Sequence, residues 1–240
     1  MKAIENPLHR LNIGVDGCRA GWVACWRASE TLKFQVFRAF EEIIGHFTDA
    51  IIAVDMPIGL PDTIGQGGRG PEALARQKLK GKSSSVFSMI SRRAVIANAD
   101  YAQTCRLARE DSTPARGISK QGFNILPKVR ELDELLRANT KLLNNVFETH
   151  PELALAILTG APVLEQKTKK DGQEKRIQII KSFGLPIPGP LPRLSGAKPD
   201  DLIDAAICLL VAERIAKNIA QSFPAEPTLD RFGIPIAMWV

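Results

Sequence analysis

The chain has 240 residues, of which 45% are hydrophobic and 24% are charged. This composition is typical of an ordinary soluble globular protein, and the length fits a single domain over residues 1–240. No apolar run approaches the roughly 20 residues that cross a bilayer, and the first ten residues lack the apolar core of a signal peptide. We therefore expect a cytoplasmic protein that does not enter a membrane.

The charge balance of the chain is basic. Lysine and arginine number 32 against 26 acidic residues, which gives a net charge of +6. A soluble surface with a basic bias explains this excess, and so does a polyanionic partner such as a nucleic acid.

The four cysteines form no Cys-x-x-Cys pair, and the three histidines are scattered along the chain. This spacing argues against a zinc site. We expect four buried thiols in a reducing compartment.

The first part of the chain predicts three strands, a helix and a fourth strand. Residues 1–10 are expected to be an unstructured lead. Residues 32–37 alternate polar and apolar, as in a half-exposed strand, whereas residues 50–55 are continuously apolar, as in a buried one. The predicted elements are strands at 11–17, 22–26, 32–37 and 50–55, with a helix at 40–47 before the last of them.

The remainder of the chain predicts helices around one further strand. Residues 59–140 are expected to form a helical insertion after the fourth strand. We predict helices at 71–80, 92–109, 123–139, 151–158, 174–183 and 200–221, a fifth strand at 145–148, an exposed loop at 160–175 and an extended connector at 184–199. Asp200 is the expected N-cap of the last helix. The apolar tail at 234–240 is expected to pack on the core or on a partner, which leaves a homodimer open.

Acidic residues stand at the ends of three of these strands. Asp16 ends the first strand, Asp55 ends the fourth and Glu148 ends the fifth. Ligands of open α/β sheets bind outside the carboxyl ends of the strands. If these strands are neighbours, the three carboxylates should lie close together.

Six segments between residues 13 and 206 stand out as motifs. They are Gly14-Val15-Asp16-Gly17-Cys18-Arg19-Ala20-Gly21-Trp22, Val54-Asp55-Met56-Pro57-Ile58-Gly59-Leu60-Pro61, Ser84-Ser85-Val86-Phe87, Gln121-Gly122-Phe123-Asn124-Ile125 with Lys128, Glu148-Thr149-His150-Pro151-Glu152 and Asp200-Asp201-Leu202-Ile203-Asp204-Ala205. Together they resemble a widespread bacterial and archaeal family of unknown function, whose motifs predict an RNase H-fold nuclease. The resemblance implies an α/β fold of the RNase H-like type, with a five-stranded mixed sheet flanked by helices.

The resemblance also implies a metal centre for phosphodiester cleavage. Two Mg²⁺ or Mn²⁺ ions about 4 Å apart would activate water and stabilise the leaving oxygen, and Mg²⁺ prefers carboxylate ligands. The matching ligands are Asp16, Asp55 and the Asp201 and Asp204 pair on the closing helix, while Glu148 joins the cluster or hydrogen-bonds to it. His150 is the candidate proton shuttle.

Three of these acids and the histidine also have a structural interpretation. Asp16 could make a turn with Gly17, and Asp55 could cap a loop. Glu148 could form an ion pair with Arg19, Lys128 or Arg130. His150 precedes a proline and could cap a helix.

Basic and amide side chains are the candidate substrate-binding groups. The basic residues at 69–82 could contact phosphates or could form a solvated helix face. Gln121 and Lys128 are spaced to hold the site or the substrate. The full set of candidates is Arg19, Arg69, Arg76, Lys78, Gln121 and Lys128.

Three functions fit this sequence. The first is a metal-dependent nuclease acting on DNA or RNA. The second is a phosphotransferase or nucleotide-binding protein of the related actin and sugar-kinase core, which would need glycine-rich loops directly after two strands. The third is a non-catalytic nucleic-acid-binding protein, because fold alone does not decide function.

Overall fold

The structure is a computed structural model that describes residues 10–240. The expected unstructured lead falls almost entirely outside the described residues. The strands are β1 (Asn12–Cys18), β2 (Gly21–Ala28), β3 (Thr31–Phe37), β4 (Ile51–Asp55), β5 (Val146–Glu148), β6 (Ser222–Leu229) and β7 (Pro235–Trp239). The helices are α1 (Phe40–His46), α2 (Pro71–Lys78), α3 (Arg92–Ile96), α4 (Tyr101–Glu110), α5 (Lys120–Ala138), α6 (Pro151–Thr159), α7 (Lys170–Ser182) and α8 (Pro199–Ala216).

The first five strands form one mixed sheet in the order β3-β2-β1-β4-β5. β1 pairs antiparallel with β2, and β2 pairs antiparallel with β3. β4 pairs parallel with β1, and β5 pairs parallel with β4. The predicted α/β architecture, a five-stranded mixed sheet flanked by helices, is confirmed.

The two faces of the sheet carry separate hydrophobic cores. Alternate β1 residues such as Ile13 and Val15 pack with α1 and α5, while Gly14 faces α8. A Cβ atom on Gly14 would lie 2.0 Å from the Ala205 carbonyl oxygen and 2.0 Å from the Leu209 nitrogen. The backbones of β1 and α8 are therefore in direct contact, which only glycine permits here.

Several predicted boundaries are corrected by the structure. The single helix expected at 92–109 is two helices, α3 and α4, because Asn98 has a positive φ and Asp100 caps α4. α5 begins at Lys120 rather than 123, since the Ser119 side chain accepts a hydrogen bond from the Gly122 backbone. α8 ends at Ala216 rather than 221, and α7 begins inside the loop expected at 160–175.

The C-terminal segment forms a hairpin that the sequence did not suggest. β6 and β7 pair antiparallel as a separate two-stranded sheet. β7 is joined to the main sheet by a bridge between Thr149 and Trp239 and by an edge-to-face contact of Phe147 with Trp239. Met238 and Val240 are buried in the α8-side core, so the tail packs on the core, which is one of the two alternatives expected from the sequence.

Two expectations about the chain as a whole can be compared with the structure. Within residues 10–240, no helix combines the length and apolar character that crossing a membrane requires. All four cysteines lie in this range and are buried and unpaired, as expected.

Candidate metal centre

Three carboxylates meet at one end of the main sheet. Asp16 and Asp55 are direct partners in the parallel register of β1 and β4, so both point to the α8 face at the same level. One oxygen from each of Asp16, Asp55 and Asp204 lies within 4.8 Å of the other two. We call these three residues the acid triad. The expectation that strand-end acids converge with the closing helix is confirmed for them.

The position of Asp204 follows from the packing of α8. Asp204 lies one residue before Ala205, whose carbonyl oxygen abuts Gly14. The helix is therefore held against β1 two residues before Asp16. This contact leaves Asp204 only 1% exposed, beside the carboxylates that end β1 and β4.

The electrostatics of the triad disfavour three bare negative charges. Burial, with the charges of Asp55 and Asp204, raises the pKa of Asp16 well above its ordinary value. Burial also raises the pKa of Asp55, although His150 and Lys167 oppose the change. The pKa of Asp204 rises to about 6 through burial, against the opposing charge of Lys167. A bound cation would favour the ionised forms.

Lys167 is a member of this site that the sequence did not suggest. Its ammonium nitrogen lies 2.5 Å from Oδ2 of Asp204, and the charge of Asp204 raises its pKa. The residue belongs to a polar stretch that predicted an exposed loop. Its long side chain nevertheless turns into the acid triad, and no local sequence signal identifies that turn.

Asp201 is not a member of the triad. Its Oδ2 accepts a hydrogen bond of 2.8 Å from the Lys198 backbone, which caps the start of α8. Asp200, the expected N-cap, lies inside the helix, and the N-cap position is occupied by Lys198. Asp201 lines the same cavity as the triad, but its carboxylate caps the first turn of α8.

Glu148 is also outside the triad, for a reason of register. Its partner on β4 is Val54 rather than Asp55, so its side chain points to the opposite face of the sheet. Both of its oxygens contact Arg69, at 2.7 and 3.1 Å, and one also accepts from the Ile58 backbone at 2.7 Å. The ion pair considered from the sequence exists, with Arg69 in place of the three partners proposed.

His150 caps α6, as its structural interpretation predicted. Its Nδ1 accepts a hydrogen bond from the Leu153 backbone at 3.2 Å. Its Nε2 lies 3.2 Å from the Ser85 carbonyl oxygen, which it can reach as a donor. Both ring nitrogens therefore have protein partners, and a proton-shuttle role would require one of these bonds to open.

The basic candidates occupy different environments. Arg69 is fully buried between Glu72 and Glu148, so its charge is satisfied within the protein. Arg76 is half-buried and donates to the Val86 carbonyl and the Ser88 hydroxyl. Arg19 and Lys78 are exposed and are not among the described residues that line the triad cavity.

Lys128 and Gln121 both line the triad cavity. The Lys128 ammonium donates to the Gly21 carbonyl oxygen at 2.6 Å and lies 4.7 Å from the centre of the Trp22 ring. Its methylene chain crosses Gly17, where a Cβ atom would lie 2.8 Å away. The turn after Asp16 is therefore shaped around this lysine.

The triad opens into a cavity of about 590 Å³, which we call the triad cavity. The three carboxylates and polar groups from several other elements line it. The polar lining residues include Lys82, Ser84, Ser85, Gln121, Lys128, His150, Glu152 and Lys167.

The donor set of the triad fits a hard divalent cation. Oδ1 of Asp204 is buried and has no hydrogen-bond partner among residues 10–240. A buried carboxylate oxygen without a partner is costly, and carboxylate oxygens are the ligands that Mg²⁺ and Mn²⁺ prefer. Asp16, Asp55 and Asp204 are therefore the residues that could hold such an ion.

Comparison with other proteins identifies the family of the chain. Comparisons with curated proteins and with solved structures give no match. A family model described as "Protein of unknown function (DUF429)" matches residues 14–229. The matched range contains the whole acid triad and Lys167. Because the match covers most of the chain, this protein belongs to the DUF429 family.

Proposed function

We propose that the protein is a metal-dependent nuclease with an RNase H-like fold, which hydrolyses phosphodiester bonds in DNA or RNA. The observation that carries this proposal is the acid triad, built from the ends of two adjacent parallel strands and from the helix packed across them. The strand order β3-β2-β1-β4-β5 is consistent with that fold.

The chemistry requires a cation and an orienting frame. When bound, Mg²⁺ or Mn²⁺ would activate water and neutralise charge on the phosphate. Asp16, Asp55 and Asp204 would hold the ion. The oxygen of one water bonds to phosphorus, the bond to the leaving oxygen breaks, and a proton reaches that oxygen. The products are a phosphate monoester and a hydroxyl.

The surroundings of the triad suit a phosphate-bearing chain. The triad cavity is lined by Lys82, Lys128 and Lys167. A second cavity of about 300 Å³ adjoins it, sharing Ser84, Val86, Phe87 and Gln121 and adding Arg76 and Arg116. A polyanion longer than one nucleotide could therefore contact basic groups in both cavities, which favours a nucleic acid over an isolated phosphate.

A cleavage assay tests the proposal. Labelled single-stranded, duplex and branched DNA, RNA and RNA–DNA hybrids would be incubated with the full chain in Mg²⁺, Mn²⁺ or EDTA. We expect metal-dependent cleavage of at least one substrate and its loss by about 100-fold or more in Asp55→Asn.

Asp62→Asn is the matched control. Asp62 lies on the loop after the same strand, but its side chain is 53% exposed and pairs with Arg231 at 3.4 Å. This variant should keep the wild-type rate. Failure to cleave every substrate, or equal cleavage by Asp55→Asn and the wild type, would overturn the proposal.

A further inference from the structure

Lys167 places a positive charge next to the acid triad. Its ammonium contacts Oδ2 of Asp204 at 2.5 Å. It is also close enough to Asp55 and Asp16 for all three carboxylates to act on its charge. Three carboxylates and one ammonium carry two net negative charges when ionised, which one divalent cation balances.

The segment that carries Lys167 is anchored by two basic side chains, Lys82 and Arg176. The Glu165 carbonyl oxygen accepts hydrogen bonds from Lys82 at 2.9 Å and from Arg176 at 3.1 Å. Arg176 is itself fully buried and paired with Glu152 at 2.7 Å. The backbone two residues before Lys167 is therefore held by hydrogen bonds from two basic side chains.

The segment is also anchored by a close backbone contact. A Cβ atom on Gly172 would lie 2.1 Å from the Gln166 carbonyl oxygen, so the start of α7 packs directly on the residue before Lys167. This contact and those at Glu165 mean that Lys167 is positioned by its neighbours.

The two oxygens of Asp204 are divided between two roles. Oδ2 holds Lys167, while Oδ1 is buried without a hydrogen-bond partner in the described part of the chain. A carboxylate arranged in this way can bind the lysine through one oxygen and a metal ion through the other. Two metal ions in the triad would bring the second ion into repulsive contact with the ammonium.

We propose that the acid triad binds one divalent cation and that the Lys167 ammonium takes the place of a second cation, contacting a phosphate oxygen of the substrate. This inference rests on the proposed nuclease function. The Lys167 side chain is 44% exposed, and an ammonium has three donors. One donor serves Asp204, which leaves others for the cavity, where Lys167 acts as a catalytic residue by neutralising charge on the phosphate.

Metal stoichiometry tests this proposal independently of cleavage. Mn²⁺ binding to the full chain would be measured by calorimetry and by electron paramagnetic resonance. We expect one ion per wild-type chain. Lys167→Met keeps the length of the side chain and removes its charge, so we expect it to bind a second ion, with magnetic coupling between the two. Lys167→Arg keeps the charge and should bind one.

Lys169→Met is the matched control, because Lys169 is exposed on the same segment and should leave the stoichiometry at one. Two ions bound to the wild type would overturn the role of Lys167 and leave the nuclease proposal standing. One ion bound to Lys167→Met with unchanged affinity would have the same effect. Failure of both wild type and Lys167→Met to bind Mn²⁺ would overturn this inference and the metal centre together, even if cleavage were observed.

Discussion

Two buried clusters of charge in this protein are built on opposite principles. In one, which we call the Arg92 cluster, a fully buried guanidinium pairs with Asp133 at 2.5 Å and with Asp230. Backbone groups of Leu60, Phe232 and Ile234 also donate to Asp230. In the acid triad, Lys167 pairs with one of the three carboxylates, Asp204, and the other oxygen of Asp204 has no hydrogen-bond partner among residues 10–240.

The difference separates a cluster whose charged groups are all hydrogen-bonded from one that could hold a metal ion. Arg137 also pairs with Asp133 of the Arg92 cluster, at 2.8 Å, so two arginines face its two carboxylates. The cluster connects the loop after β4, α5 and the C-terminal hairpin without a ligand. The triad carries more negative charge than its surroundings balance, which is an arrangement that proteins keep at functional sites. The same substitution should therefore have opposite effects in the two places.

The largest effect is expected for Asp230→Asn. The change places an amide where four hydrogen-bond donors converge. It also leaves Arg92 with one of its two carboxylate partners. Removing one partner of a buried pair costs about 3–5 kcal/mol of the free energy of unfolding, and added Mn²⁺ should not restore it. Urea denaturation measures the loss, with the exposed Asp62→Asn as control. A loss no greater than the control's would remove the contrast between the clusters.

A smaller loss is expected for Gly172→Ala. Because the new Cβ would meet the Gln166 carbonyl oxygen at 2.1 Å, either α7 or the Lys167 segment must move, at a cost of about 1–3 kcal/mol. Displacement of Lys167 should move Mn²⁺ stoichiometry towards that of Lys167→Met. Gly45→Ala is the control, since Gly45 is helical and a Cβ there meets nothing within 4 Å. Unchanged metal binding in Gly172→Ala would show that Lys167 is not positioned by this contact.

A gain rather than a loss of stability is expected for Asp16→Asn in the absence of metal. The amide oxygen can still accept from the Gly17 backbone, as Oδ1 of Asp16 does at 2.6 Å, while one of three crowded charges disappears. In EDTA the variant should be more stable than the wild type by about 1 kcal/mol. It should also lose most of the stabilisation that Mn²⁺ gives the wild type. Thermal melts with and without metal measure both effects, and lower stability in EDTA would contradict the idea of an unbalanced site.

The smallest effect is a pH dependence of that difference. The folded-state pKa of Asp16 is raised above the ordinary 3.8 by burial and by Asp55 and Asp204, with Asp201 adding to the rise and Lys167 opposing it. A raised folded pKa contributes stability below the unfolded pKa, and this contribution is lost as pH rises through the folded pKa. The advantage of Asp16→Asn in EDTA should therefore be small near pH 4 and grow towards pH 8. Urea denaturation at several pH values measures this difference in stability. A difference that stays constant from pH 4 to pH 8 would contradict the prediction.

The sequence predicted the sheet and most of the triad because both depend on local patterns. Continuous apolar runs ending in Asp16 and Asp55 define buried strands, and acids at such ends converge whenever the strands are parallel neighbours. The Asp201 and Asp204 pair needed more than spacing to be told apart. The Asp201 side chain accepts a hydrogen bond from the Lys198 backbone at the start of α8. Asp204 lies beside Asp16 because the backbone of α8 packs directly against Gly14.

The remaining features depend on contacts between distant segments. Lys167 lies in a polar stretch whose course is set by Lys82 and Arg176, and its composition alone predicts exposure. The partner of Glu148 is decided by register, which a three-residue strand does not reveal. The β6 strand contains Pro224 and Pro227, which weigh against a strand in any reading of propensity. These features need the folded chain.

The contact of Gly14 with α8 has a consequence for how this protein can change over time. The spacing between the strand that bears Asp16 and the helix that bears Asp204 is set by two backbones touching, with no side chain between them. The distance between these two elements therefore does not depend on the volume of a side chain at this contact. A residue larger than Gly14 would push the two acid-bearing elements apart, so a substitution at a position that contacts no substrate would still change the distances within the acid triad.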